Sequence, residues 1–140
     1  MRRGSVAAQL KQLNDAALAK ADKVRQQITA KVFGLTIMAS PIDEGRFAGN
    51  WRLGVDQIPT GYDNSVSGNA VQIRQRNSDA IMAGAAKTKP DGAVYLVNNL
   101  PYAARLEYTG WSMQAPNGMI GPTLALFSQI VTAVMNANRI

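Results

Sequence analysis

The residues of this chain that are able to do chemistry are few and far apart. It contains neither cysteine nor histidine, which removes the usual zinc sites, thiol nucleophiles and Ser-His-Asp triads. Nine carboxylates remain, and the only adjacent ones are Asp43 and Glu44. Sequence neighbours point apart in most backbones, whereas an acid pair needs convergent side chains, so these two read as solvated or turn-capping groups. Phosphate-cradling loops of the G-x-x-x-x-G-K-[ST] or G-x-G-x-x-G type are absent, as is a G-x-S-x-G nucleophile elbow. The expectation is a protein that is not an enzyme, with no catalytic residue, cofactor or metal site.

Where a catalyst would carry a charged cluster, the stretch from Val94 to Gly121 instead concentrates aromatic, amide and turn residues. Trp111 follows Gly110 in a loop that also holds Met113 and Pro116, with Met119 and Ile120 just beyond. Large apolar groups between backbone breakers have little use in a monomer, and tryptophan and tyrosine are enriched among interface anchors. Trp111, Met113, Tyr102 and Tyr108 are therefore candidate interface residues. Asn98 and Asn99, ahead of Leu100-Pro101, read as turn formers, with bonding to a neighbouring subunit's backbone as the alternative. Trp51 falls on the apolar phase of a strand and is assigned to the core.

The formal charge is +6, yet the basic residues are scattered and no nucleic-acid-binding motif accompanies them. Arg74 and Arg76 stand two apart in a run read as a strand, which puts both on one face, opposite Val71 and Ile73. They are candidates to line a channel through which DNA passes, where non-specific phosphate contact suffices; the plainer reading is a solvated outer face.

The elements that must position these residues follow from apolar spacing. Val6, Leu10, Leu13, Ala17, Ala21, Val24, Ile28, Val32 and Leu35 recur in steps of three or four, which predicts an amphipathic helix from Ser5 to about Met38, capped by Ser5, weakened late by Gly34 and stopped at Ser40-Pro41. Such a helix is about 50 Å long, whereas a globule of this size is under roughly 40 Å across. The helix should overhang and seek a partner, making Leu10 and Leu13 interface candidates; the alternative is a helix that begins near Asn14 and packs wholly on its own domain. Strands are predicted at Trp51 to Val55, Val71 to Gln75 and Ala93 to Asn98, a short helix at Ser78 to Ala86 capped by Ser78, another around Tyr102 to Tyr108, and a last helix from Pro122 to Asn138. The fold class is α+β, a small mostly antiparallel sheet packed by the long N-terminal helix and the C-terminal helix. Residues 1-140 form a single domain, with an assembly helix over 1-38 and a body over 39-140. No apolar run approaches the ~20 residues of a membrane span, and the first residues lack the apolar centre of a signal peptide.

Two segments carry a further signal: SPIDEGRFAGNWRLG from Ser40 to Gly54 and NNLPYAARLEYTGWSMQAP from Asn98 to Pro116. Together they resemble the small neck and tail-completion proteins of long-tailed bacteriophages, which pair P-x-D-x-G-x-x-x-x-x-W with a later N-x-x-x-Y-A-x-x-x-E-x-G. Here those positions are Pro41, Asp43, Gly45 and Trp51, then Asn98, Tyr102, Ala103 and Glu107, with the final glycine displaced one residue to Gly110. The resemblance implies a structural virion protein forming a homo-oligomeric ring at the phage neck or tail top. Its partners would be neighbouring connector, tail-tube or tail-terminator proteins, with non-specific DNA contact in the lumen and no membrane. It would assemble in the host cytoplasm and reside in the virion. A non-specific basic nucleic-acid-binding protein is the alternative.

Overall fold

The computed structural model describes residues 5–42, 45–89 and 92–139; Asp43 and Glu44 lie outside them. Helix α1 runs Val6–Met38, and the Ser5 hydroxyl accepts the Ala8 N–H at 3.1 Å, an N-cap in the expected place. The alternative start near Asn14 is overturned. Residues 5–19 touch nothing that buries them, so roughly four turns of helix project beyond the body, while Ala30, Gly34, Thr36 and Ile37 are buried in it. The helix is therefore half overhang and half core.

A one-turn helix α2 (Arg46–Gly49) leads into β1 (Trp51–Val55). The next element, α3 (Ala70–Ala85), corrects the sequence reading, which placed a strand at Val71 to Gln75 and a separate helix capped by Ser78. The Asn69 side chain accepts the Gln72 N–H at 3.0 Å and starts one continuous helix there; Ser78 lies buried in its interior. The sheet is accordingly two-stranded. Strand β2 (Val94–Asn98) pairs antiparallel with β1, Trp51 opposite Asn98 and Val55 opposite Val94.

Helix α4 (Ala103–Tyr108) follows, and the expected last helix is two, α5 (Ile120–Ala125) and α6 (Phe127–Ala137), broken at Leu126. The start of α5, two residues before Pro122, has a specific cause. The Glu107 carboxylate accepts the N–H groups of Met119, Ile120 and Gly121 at 2.9, 2.8 and 3.1 Å, satisfying amides that a helix start leaves without intrahelical partners. Pro122 then falls in the first turn, where its missing N–H is no loss. The approach is so close that a Cβ on Gly118, which has φ of +82°, would lie 2.4 Å from Glu107 Oε2 and 2.5 Å from its backbone oxygen.

The core gathers Ile37 from α1, Phe47 from α2, Trp51 from β1, Ile81 from α3, and Leu106 and Met119 around α4. Side-chain amides pin the turn-rich loop after β1 to this core. Asn50 donates to the Asp63 carbonyl at 3.0 Å and accepts the Asp63 N–H at 2.7 Å, and Asn99 donates to the carbonyls of Pro59 and Gly61. In the same loop the Ser65 hydroxyl and amide donate to the Asp63 carboxylate at 2.5 and 2.8 Å. These two bonds, hydroxyl first, and then the nearby Arg52 charge hold the Asp63 pKa below its ordinary 3.8.

Two outcomes follow. Glu107→Ala removes the charged acceptor of three amide N–H groups, of which only that of Met119 is part-buried, and should lower the unfolding free energy by about 1–3 kcal/mol, read as a reduced urea midpoint at unchanged slope; Gly118→Ala should be at least as damaging. For Asp63, a lowered folded-state pKa means a stabilisation complete above pH 3.8 and lost as pH falls through the lower folded value. Asp63→Asn should flatten that part of the acid limb, measured by urea unfolding across the range.

Candidate interaction surfaces

The two segments that carry the motif spacing meet in space. Asn98 Nδ2 donates to the Phe47 carbonyl at 2.8 Å, and Arg46 Nε donates to the Tyr102 hydroxyl at 3.3 Å. Between them runs a ladder of rings. Trp51, buried and donating through Nε1 to Ser40 Oγ at 2.8 Å, meets Phe47 edge-on at 5.7 Å between centroids. Phe47 lies 6.0 Å from Tyr102, and Tyr102 meets Trp111 edge-on at 6.3 Å. The separations fall in the range where aromatic pairs attract. The ladder thus passes from a core residue to a surface residue, since Trp111 is 57% exposed.

Two guanidinium groups grip its outer half, Arg46 at 5.6 Å from the Tyr102 centroid and Arg105 at 5.0 Å from that of Trp111, within cation–π reach. Beside them opens a cavity of about 590 Å³ whose walls include Pro41, Phe47, Leu106 and Trp111. Met113 stands at its mouth, 97% exposed. This is an apolar and cationic surface with a rigid backing, and its described lining carries no carboxylate. Among the described residues no cluster of carboxylates is placed to hold a metal ion.

The candidate interface residues divide between two places. Tyr102, Trp111 and Met113 belong to the ladder and its mouth, whereas Tyr108 projects into solvent on the far end of α4. Leu10 and Leu13 lie on the overhang of α1, exposed along with Val6. That stripe leads into a second open groove of about 520 Å³, whose floor is Val24, Ile28 and Val32 of the same helix and whose walls include Val94 and Phe127.

Arg74 and Arg76 do not form the expected face. They lie on a helix, where residues two apart point to nearly opposite sides. Arg74 is half-buried and donates through Nη1 to the Ser40 carbonyl at 3.1 Å, while Arg76 is exposed. Asn98 and Asn99 spend their side chains on their own chain: Asn98 Oδ1 accepts the Leu100 N–H as a turn former should. Among the described residues, no helix is long and apolar enough to cross a membrane.

Phe47, Arg46 and Arg105 are the site residues that spacing alone missed. Their placements depend on tertiary contact, so spacing carried no signal for them. No family model, curated protein or solved structure matches this chain.

If the ladder positions Trp111, then Tyr102→Ala should loosen the loop without unfolding the body. We expect Trp111 fluorescence to shift toward that of a fully hydrated indole in a Trp51→Phe background, with the far-ultraviolet circular dichroism preserved.

Proposed function

We propose that this chain is a structural virion protein of a tailed bacteriophage, forming a ring at the neck or tail top that joins head to tail. The observation that carries the reading is the aromatic ladder. The two segments that resemble the neck and tail-completion family are distant in sequence and fold against each other, and their joint product is a buttressed apolar knob, Trp111 and Met113, facing outward. A ring subunit needs such a surface for its neighbour, because each copy must present complementary patches that close on rotation. The ring acts by shape and buried area, without catalysis, and its neighbours would be connector, tail-tube or tail-terminator proteins in the virion after assembly in the host cytoplasm.

The separation of Arg74 from Arg76 takes away the paired-arginine channel, so any contact with DNA in the lumen would rest on diffuse charge. Salt separates the two classes of function. A ring held by apolar burial should persist in high salt, whereas phosphate binding loses affinity steeply as salt rises.

The decisive variant is Trp111→Ala. The ring is already half in solvent, so its loss should cost the monomer about 1 kcal/mol, the worth of one edge-on contact and one exposed cation–π contact. An interface anchor is worth about 2 kcal/mol or more, which weakens association about thirtyfold. We expect ring formation, followed by electron microscopy and light scattering, to fail while thermal unfolding barely moves. A monomer destabilised by ~3 kcal/mol or more with assembly intact would place Trp111 in the core and overturn the reading.

A further inference from the structure

The overhang of α1 leaves Val6, Leu10 and Leu13 at 72%, 60% and 69% exposure, and the same stripe continues as the floor of the open groove between Val94 and Phe127. One chain therefore displays both a linear apolar ridge and an open, largely apolar groove, whose lining also includes Arg25 and Thr29. The spacing of the stripe is nearly a mirror of itself about Ala19: Val6 reflects onto Val32, Leu10 onto Ile28 and Ala17 onto Ala21, while Leu13 and Val24 reflect onto Arg25 and Asn14. Two copies laid antiparallel would match large side chains to large ones at both ends. At the centre they would bring small ones together, where alanine lets helices approach closely.

We propose that the free protein pairs through α1 as a two-fold antiparallel dimer, each overhang lying in the groove of the other copy. Area decides between this and a head-to-tail contact. Overlap from Val6 to Val32 makes a strip about 40 Å long and about 11 Å wide on each partner, on the order of 900 Å² in all. The groove walls raise this to the ~1,000 Å² that a specific interface requires. A head-to-tail contact uses one overhang and one groove, about half that area, and leaves the remaining halves bare. The two-fold pair closes both at once.

This inference does not rest on the phage reading and adds to it. Adjacent subunits of a ring of three or more copies are not related by a two-fold axis, so the pair is the state of the protein before assembly, and the stripe changes partner when a ring forms. Pairing would also keep the ridge from nonspecific contacts until then.

The absence of native cysteine makes cross-linking of the full chain clean. Leu10 and Ile28 lie about 27 Å apart along one helix, too far to bridge within a chain, and opposite each other in the antiparallel pair. Leu10→Cys/Ile28→Cys should oxidise to a closed covalent dimer, while either cysteine alone should give none. A ladder of larger species would show head-to-tail pairing, and a monomer would show that α1 does not pair; each overturns the proposal. In parallel, Val6→Asp/Leu10→Asp, opposite Val32 and Ile28 in the pair, should weaken dimerisation about a hundredfold or more in sedimentation equilibrium, with unfolding of the body unchanged because both residues lie on the exposed overhang. A dimer that survives both aspartates would equally refute α1 pairing.

Discussion

The close approach of α1 and α3 is the constraint on which the body of the protein depends. The buried positions at their contact are small or slender, Ala30 and Gly34 on one helix and Ser78, Ile81 and Ala85 on the other. Any Cβ at residue 34 would meet Met82 well inside contact distance. That proximity lets α3 hold what lies above it: Asn77 Nδ2 donates to the carbonyls of Ala48 and Trp51 at 2.8 and 3.3 Å. Trp51 in turn reaches back through its indole N–H to Ser40 at the end of α1. The circuit α1 to α3 to β1 and back to α1 is closed by hydrogen bonds of buried or half-buried groups, which are expensive to leave unmade. The ladder begins at its corner, on Trp51.

The helices with a cap or a long stripe were legible in the sequence. Ser5 and the three-and-four spacing located α1 almost to the residue, and alternation located β1. Val71 to Gln75 misled because only two apolar residues, Val71 and Ile73, alternate there, too short a run to establish a period. The deciding signal was present at Asn69, whose side chain caps the helix with Gln72 three residues on, the spacing of a capping box. With that helix recognised, Arg74 and Arg76 separate at once. The break at Leu126 and the early start of α5 were not legible, since the cap is supplied by Glu107, a residue of another helix. The ladder was partly legible: Trp51, Tyr102 and Trp111 stand out in the sequence and Phe47 does not, because the contact of residues 46–51 with 98–111 is tertiary and leaves no local trace. The groove beside α1 was legible only in its floor, because Val94 and Phe127 reach it from distant parts of the chain.

The glycines of the motif segments have physical causes of their own. Gly45 sits at φ of +72°, and a Cβ there would lie 2.9 Å from Ile73 Cδ1 and 3.0 Å from Ala70 Cα, so α2 can start only if this residue has no side chain. Gly110, one position later than in the resembled pattern, is also left-handed at φ of +63° and crowds the Pro116 carbonyl. This glycine turns the chain toward Trp111 just beyond the end of α4.

The two exposed apolar surfaces differ in what holds them ready. Trp111 is fixed by rings and guanidinium groups behind it, so its orientation is set by tertiary contact. The overhang has no such backing, and an isolated helix of its length is marginal in water because nucleation is unfavourable. Here the buried half of α1 supplies the nucleus, and only propagation remains. Alanines at 7, 8, 16, 17 and 19, the best helix formers, favour that propagation, with the Lys11–Asp15 pair at 2.8 Å adding a few tenths of a kcal/mol at most. The ridge is therefore already helical before it meets anything. Ordering a flexible segment of that length would cost ~1 kcal/mol or more per residue. A pre-formed extension of a buried helix avoids most of that entropy loss, and this makes a narrow apolar strip sufficient to hold a second helix.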